Sequence, residues 1–122
     1  MTEIPTPAIE LHRGDVVWAA PDPAVGREQA GRRPAVVISS TAYLQNVTQL
    51  AIVVPVSRVD RDWPNHVRLQ GPDVGLAEES FAMTEQPKTI DRRRIEKVSG
   101  RVDMATVAAI DGWLKDFLEL RE

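Results

Sequence analysis

The sequence has no cysteine and no long apolar run, and each absence excludes a class of protein. Without cysteine, the 122 residues can form neither a disulfide framework nor a thiolate metal site. This is typical of a reducing cytoplasm, where we expect the protein to act. No stretch approaches the roughly 20 apolar residues of a membrane-spanning helix, so no membrane role is expected. Residues 1–10 lack the features of a secretory signal and are interpreted as a flexible leader before a single domain at 11–122.

Histidine is nearly as scarce. His12 and His66 are the only two, and nothing in the sequence brings them together as an acid–base pair of the pancreatic ribonuclease kind. They also lack the spacing and the third ligand that a zinc site needs. We therefore expect neither a metal ion nor another cofactor.

Aromatic residues make up only 5% of the chain, which leaves few platforms for stacking. Trp18 lies in an apolar run and is assigned to the core, and Phe81 and Trp113 are also expected to be buried. Tyr43 and Trp63 fall in predicted loops. These two are the exposed candidates for contact with nucleic-acid bases or a partner.

Positive charge is not in excess either, since 15 Lys and Arg face 18 Asp and Glu for a net charge of −3. That balance argues against a nucleic-acid binder. The distribution is uneven, however, because residues 88–101 carry six basic and only two acidic side chains. A local field of this kind attracts phosphates, although a solvated face is the alternative explanation.

The apolar runs that are present predict a mainly β protein. Valine-rich or β-branched runs predict strands at 14–20, 33–39 and 49–57, with shorter ones at 66–69 and 80–84. Pro55 inside the third run indicates an edge strand or a bulge. Residues 21–32, with two prolines and two glycines, form a loop that is long for a hairpin connection, and such loops often carry function.

The C-terminal residues instead have helical spacing. Val107, Ile110, Leu114 and Phe117 recur on one face between residues 103 and 120, with Asp103 as the candidate N-cap. Gly112 lowers helix propensity, so we expect close packing there. Several strands followed by one helix predict an α+β or all-β barrel rather than a βαβ fold.

Four segments in order resemble the MazF/PemK family of bacterial toxins over about 11–120. They are Arg13–Gly14–Asp15, GREQAGRRP at 26–34, VPVS at 54–57 and GLAEESFAMTEQPKTIDRRRI at 75–95. The resemblance implies an SH3-like (CcdB/PemK-type) β-barrel with a C-terminal helix, usually a homodimer. It also implies a metal-independent endoribonuclease that cuts single-stranded messenger RNA at short motifs, leaves 2′,3′-cyclic phosphate and 5′-hydroxyl ends, and is inhibited by a cognate antitoxin.

The same resemblance assigns candidate catalytic residues. Arg33, immediately before proline, matches the family's catalytic arginine, whose planar cation suits the charge that develops on the phosphate. Ser57 matches a threonine or serine whose hydroxyl can bond a phosphoryl oxygen or orient the arginine. Glu28 matches a glutamate that either accepts the 2′-hydroxyl proton or holds Arg33 in place.

Further residues are candidates for RNA binding. Gln29 can read a base edge, Arg32 can contact phosphate, and Gln86 matches a family glutamine with a binding or structural role. The arginines near Trp63 favour an RNA-facing loop. The complete set of binding candidates is Gln29, Arg32, Arg58, Arg61, Trp63 and Gln86.

Two other functions remain open at this point. A non-enzymatic toxin of the same barrel, similar to the gyrase-binding CcdB relatives, does not need the arginine–hydroxyl pair, so the presence of Arg33 and Ser57 argues against it. A plain SH3-like module binds proline-rich peptides in aromatic-lined grooves, and this chain has few aromatic residues.

Overall fold

The computed structural model describes residues 9–20 and 31–120, and within them the chain is mainly β. One 3-10 turn at Arg92–Arg94 accompanies the strands and helices. These are β1 (Asp15–Ala19), β2 (Arg33–Val37), α1 (Thr41–Asn46), β3 (Leu50–Ser57), β4 (His66–Arg68), β5 (Phe81–Met83), β6 (Lys88–Asp91), β7 (Ile95–Arg101) and α2 (Met104–Leu118).

The strands form one antiparallel sheet in the order β4-β5-β3-β2-β1-β7, with β6 also paired to β3. Because side chains alternate along a strand, the valines of β1 to β3 face two sides. Val17, Val37 and Val53 pack in a first core cluster with Leu44 of α1. The valines adjacent to these in each strand pack in a second cluster, together with Ile110 of α2.

Pro55 is not on an edge strand, but β3 is not fully paired at this residue, as its sequence indicates. It lies inside the central strand β3, opposite Ala35 of β2. On its other side, β3 pairs with β6 only over Leu50–Val53 and with β5 only over Val56–Ser57. Proline has no amide hydrogen to donate, and Pro55 stands where β3 changes partner, so no ladder bond is lost there.

The fold class is confirmed, but the sheet is not a closed barrel. Among the described residues, the end strands β4 and β7 share no ladder, and the chain after β4 reaches β7 only through an isolated bridge between Asp73 and Arg101. The two segments cross closely, since a Cβ at Gly100 would lie 2.3 Å from the carbonyl oxygen of Val74. Only glycine fits at that crossing.

Helix α2 begins and packs largely as its sequence predicts. The Asp103 side chain accepts a hydrogen bond from the Thr106 amide at 2.8 Å, which confirms the N-cap. Ile110 is buried, whereas Phe117 is 45% exposed. The expectation for Gly112 is wrong: it is exposed, and a Cβ built there meets nothing within 4 Å.

Helix α1 and strands β6 and β7 were not predicted. Strand β7 has few apolar residues. Its burial alternates only weakly, and Val98 is 37% exposed. The charged run at 88–101 comprises strand β6, the 3-10 turn and strand β7. Within residues 9–20 and 31–120 no helix is long and apolar enough to span a bilayer. The predicted leader at 1–10 falls mostly outside the described residues.

Candidate functional site

Strand register brings the two central candidates together. Ala35 lies opposite Pro55, and Val37 lies opposite Val53. Continuing this antiparallel register by two residues places Arg33, the first residue of β2, opposite Ser57, the last residue of β3. Directly opposed residues project from the same face of a sheet, so the guanidinium and the hydroxyl leave the sheet on one side.

The same face continues across β5 and β4. Ser57 pairs with Phe81, which pairs with Arg68, and one step along the strands Met83 pairs with His66. The intervening row, formed by Val56, Ala82 and Val67, points into the second core cluster. The outer rows therefore lie on one side of the sheet, hereafter the site face, where Phe81 and His66 are buried. The site face comprises Arg33, Ser57, Phe81, Arg68, Met83 and His66.

Arg33 is exposed at the edge of this face, although β2 becomes fully buried two residues later. Its backbone is fixed, because it pairs with Ala19 of β1. Its guanidinium has neither an ion-pair nor a side-chain hydrogen-bond partner in the described part of the chain. A cation on a fixed strand start, with its donors open, can bind an anionic oxygen.

Ser57 is half-buried and held in a local turn. Its Oγ accepts a hydrogen bond from the Val59 amide at 3.1 Å and lies 3.5 Å from a guanidinium nitrogen of Arg61. Because the Oγ accepts in both contacts, its own proton remains available for donation. The β3–β4 connection thus places a second cation at the hydroxyl.

The other arginine candidates divide into paired and unpaired groups. Arg32 forms an ion pair with Glu96 of β7, and Arg58 lies 3.3 Å from Glu78. Exposed pairs of this kind are weak and exchangeable. Arg61 has no carboxylate partner among the described residues and contacts only Ser57. Arg61 therefore joins Arg33 as an open cation of the site face.

Trp63 and Gln86 lie at the far end of the site face. The indole of Trp63 is 49% exposed, with its ring centroid 4.7 Å from that of His66. Gln86 is exposed, and its amide nitrogen lies 3.3 Å from an oxygen of Glu85. A half-exposed indole beside an amide can stack on a base and contact its edge.

The predicted aromatic burial is only partly correct. Trp63 is exposed and Phe81 is buried, as predicted. Trp18 and Trp113 are half-buried rather than buried, and Tyr43 is half-buried in α1 rather than in a loop. Trp63 is therefore the exposed aromatic residue that the structure places at the site.

The remaining two candidates, Glu28 and Gln29, lie outside the described residues. The chain is nevertheless fixed on both sides of that segment. The Ala20 amide donates to the Arg94 carbonyl at 2.8 Å, and the Arg94 side chain donates back to the Ala20 carbonyl at 2.9 Å. On the other side, Arg32 is tied to Glu96.

The basic run at 88–101 is not an open phosphate track. Arg92 donates to three backbone carbonyls, and Arg94 to one. Arg93 and Arg101 are paired with Asp91 and Asp15. Most of these basic side chains are therefore occupied by carboxylates or backbone carbonyls within the fold.

The structure adds residues that the sequence did not identify. Arg68 shares a row with Ser57 and pairs with Glu79 at 2.7 Å. His66, considered only as a partner for His12, instead lies with its Nε2 3.0 Å from Glu85. The period-two pattern of β4 was the available signal, since it places His66 and Arg68 on one face.

The two histidines do not form a catalytic pair. His12 lies before β1 with Glu10 and Asp15 at 3.4 and 3.7 Å. His66 is buried in β4 and contacts Glu85 and Trp63. Within residues 9–20 and 31–120, no group of three His, Cys, Asp or Glu side chains is placed to hold a metal ion.

The carboxyl of Glu85 is held in its charged form. Burial works to raise its pKa, but hydrogen bonds from His66, the backbone and Gln86 outweigh burial and leave the pKa below its ordinary value. The site face therefore carries one fixed negative group beside its cations.

Comparison with known proteins identifies the family of this chain. The chain is 35% identical to the protein named endoribonuclease MazF9 of Mycobacterium tuberculosis over 115 residues, which cover 90% of this chain and 98% of the relative. It is 30% identical to endoribonuclease EndoA of Bacillus subtilis over 113 residues, with 90% and 96% coverage.

Solved structures lead to the same family. A crystal structure of MazE–MazF from Deinococcus radiodurans matches with a TM-score of 0.77 and 28% identity, covering 93% of this chain and 99% of that one. The model of PemK-like, MazF-like toxins of type II toxin–antitoxin systems matches residues 12–118. The chain therefore belongs to the PemK-like, MazF-like toxin family of type II toxin–antitoxin systems.

Proposed function

We propose that this protein is a sequence-specific endoribonuclease toxin that cuts single-stranded messenger RNA without a metal ion. The observation that carries the proposal is the opposition of Arg33 and Ser57 on the site face, with the guanidinium open to solvent. Family membership supports it, because relatives that match over nine-tenths of this chain are named endoribonucleases.

The reaction requires no group beyond the RNA and these side chains. The ribose 2′-oxygen attacks the adjacent phosphorus, and the bond from phosphorus to the 5′-oxygen breaks. The 2′-hydroxyl proton passes to a base, and the departing 5′-oxygen takes up a proton from water. The products are a 2′,3′-cyclic phosphate and a free 5′-hydroxyl, and charge accumulates on the phosphoryl oxygens between these steps.

Arg33 meets that developing charge. A cation held at a strand start needs little reorganisation as the phosphorane forms, so it binds the transition state more tightly than the substrate. The Ser57 hydroxyl donates its free proton to a phosphoryl oxygen, while its oxygen still accepts from the Val59 amide and the Arg61 guanidinium. Glu28 accepts the 2′-proton or orients Arg33.

The RNA strand then crosses the site face. Arg61 and, after exchange of their surface partners, Arg32 and Arg58 contact phosphates on either side of the cut. Trp63 stacks on a base, and Gln86 and Gln29 contact base edges. Such stacking and edge contacts give a single-strand nuclease its sequence preference.

A cognate antitoxin, a homodimeric state and a cytoplasmic location complete the proposal. The crystal structures titled MazE–MazF support a partner of the antitoxin type. The exposed apolar side chains of α2 support a further contact surface, since Met104 is 82%, Phe117 45% and Leu118 62% exposed.

The test is incubation of the purified protein with a long unstructured RNA in EDTA, followed by analysis of the ends. We expect fragments whose 5′ ends a kinase labels without prior phosphatase treatment, and whose 3′ ends are cyclic phosphates. Intact RNA would contradict the proposal and favour the gyrase-binding alternative, which inhibition of DNA supercoiling would then reveal. Cleavage that leaves 5′-phosphates would exclude the 2′-hydroxyl mechanism.

A further inference from the structure

Glu85 is held by three donors at the end of the site face away from Arg33. Asn65 Nδ2 lies 2.8 Å from Oε1, His66 Nε2 lies 3.0 and 3.1 Å from the two oxygens, and Gln86 Nε2 lies 3.3 Å from Oε2. Asn65 is itself fixed, because its carbonyl accepts from the buried Thr84 hydroxyl at 2.7 Å. The Oε1 side of the carboxylate is thus anchored to the fold.

The orientation of the imidazole follows from its surroundings. The His66 side chain is only 2% exposed, and its Nδ1 is buried without a hydrogen-bond partner among the described residues. A carboxylate only accepts hydrogen bonds, so Nε2 of His66 carries the proton of this contact and points it at Glu85. His66 is therefore a donor that fixes the carboxylate.

The second oxygen, Oε2, shares the His66 Nε2 donor with Oε1, at 3.1 Å, and has one further contact. Its contact from Gln86 is long, and Gln86 is an exposed side chain that can exchange it for another partner. The Glu85 side chain is 30% exposed. Trp63, half-exposed and packed on His66, covers the adjacent surface. An incoming planar group can therefore meet the indole and, by displacing the long Gln86 contact, the Oε2 atom of Glu85 together.

A carboxylate is an unusual group on a surface that binds RNA, because it repels phosphate. It is acceptor-only, so it favours a ligand that offers N–H donors. The donors of an RNA strand, apart from the 2′-hydroxyls, are the amino and imino groups of its bases. The neighbouring Gln86 amide nitrogen is a donor, so the pair presents an acceptor beside a donor.

We infer that Glu85 and Gln86, with Trp63 as the stacking platform, form a nucleobase subsite that selects adenine or cytosine. Both bases carry an exocyclic amino group next to a ring nitrogen acceptor. The amino group donates to Oε2 of Glu85, and Gln86 Nε2 donates to the ring nitrogen. In the same register, uracil and guanine present a carbonyl oxygen in place of the amino group and a ring N–H in place of the ring acceptor, so their carbonyl would face the carboxylate. The inference rests on the proposed ribonuclease function.

The substitution Glu85→Gln replaces the acceptor of this acceptor–donor pair with a donor. Asn65 and His66 are both donors, so the amide oxygen of the new side chain faces them and its NH₂ takes the place of Oε2. The outer acceptor thereby becomes a donor with almost no change of shape. The subsite should lose its preference for adenine and cytosine and accept uracil or guanine instead.

The experiment maps the cleavage sites of wild type and Glu85→Gln on an RNA library with randomised sequence. For wild type we expect one position near the cut where adenine or cytosine is favoured over uracil and guanine by roughly 10- to 100-fold. Glu85→Gln should remove or invert that preference and cut at the same phosphate. Asp116→Asn is the control, because Asp116 is an exposed carboxylate on α2 and not on the site face.

A chemical substitution in the RNA tests the same contact without changing the protein. Where adenine is selected, a defined oligonucleotide carrying purine riboside, which lacks the amino group, should be cut roughly 10-fold more slowly or worse. Equal rates with adenine and purine riboside, or unchanged preferences in folded Glu85→Gln, would overturn the inference while leaving the ribonuclease activity established. A wild-type protein that cuts no RNA would instead refute the proposed function, and the subsite with it.

Discussion

At the scale of single residues, the site depends on which polar groups the fold leaves open. Arginine is abundant in this chain, yet most of its guanidinium groups are occupied, either by carboxylates or by backbone carbonyls. Arg33 and Arg61 are different, since neither has a carboxylate or backbone-carbonyl partner among the described residues. The sequence motif identifies Arg33, but only the contacts show that the arginines of the run at 88–101 are already used.

Ser57 tests whether the hydroxyl beside Arg33 takes part in the reaction. Ser57→Ala should slow cleavage by about 10- to 100-fold, because a hydrogen bond to a charged phosphoryl oxygen is lost, while binding of a 2′-O-methyl RNA stays nearly unchanged. Single-turnover cleavage and fluorescence anisotropy measure the two effects. Ser57→Thr keeps the hydroxyl and should retain activity; an alanine variant as fast as wild type would remove Ser57 from the mechanism.

At the scale of elements, the strands could be predicted and their partners could not. Val16, Val36 and Val54 mark strands by composition alone, but the register that aligns Arg33 with Ser57 depends on which strands meet. Pro55 shows the limit, because its tolerance in the central strand comes from the gap between β5 and β6. Helix α1 was missed since six residues are too few for a helical period to appear.

Arg92 and Arg93 are neighbours with opposite roles in holding these elements together. Arg92 donates to the carbonyls of Leu44, Val47 and Leu50 and so fastens α1 to β3. Arg92→Ala should lower the free energy of unfolding by about 1–3 kcal/mol, because these carbonyls lose their partner. Arg93→Ala should leave it unchanged, since that side chain is 90% exposed. Urea unfolding measures both, and equal effects would contradict the assignment.

The start of α2 should make stability depend on pH. Hydrogen bonds from the Thr106 hydroxyl and amide lower the pKa of Asp103 from its ordinary 3.8. A lowered pKa means that the charged cap stabilises the fold above pH 3.8, and that this contribution disappears as the pH falls through the folded-state value. Asp103→Asn keeps a cap that does not titrate.

The difference in unfolding midpoint between wild type and Asp103→Asn should therefore be largest near neutral pH and shrink below pH 3.8. Urea titrations at a series of pH values measure it. Asp116→Asn is the control, because Asp116 is an exposed carboxylate at the other end of α2. A difference that stays constant across the acid range would show that the Asp103 charge does not stabilise the cap.

At the scale of the whole molecule, a net charge of −3 is compatible with an RNA substrate. Few cations are open, and their position matters more for binding than the total charge does. The composition argued against nucleic-acid binding, and the family motifs argued for it. The structure is consistent with both, since Arg33 and Arg61 are open and the exchangeable Arg32 and Arg58 adjoin Arg33 and Ser57 in the chain. Affinity should then come from a small number of phosphate contacts together with base contacts.

This predicts a shallow salt dependence of RNA binding. With two to four phosphates neutralised, the slope of log K against log salt should be roughly −1.4 to −2.8. Arg61→Ala should reduce that slope by about 0.7, one phosphate contact on a single strand, while Arg93→Ala should not change it. Fluorescence anisotropy with a 2′-O-methyl oligonucleotide measures the slope, and a much steeper value would mean that other basic residues bind the strand.

The most direct measurement is single-turnover cleavage of one long unstructured RNA, in EDTA, by wild type, Arg33→Ala and Arg93→Ala. Loss of a preorganised cation at the developing charge should slow the Arg33 variant by about 100-fold or more, with an unchanged unfolding midpoint because the side chain is exposed. Arg93→Ala should cut like wild type. If folded Arg33→Ala cleaves at the wild-type rate, the guanidinium opposite Ser57 is not the group that stabilises the transition state.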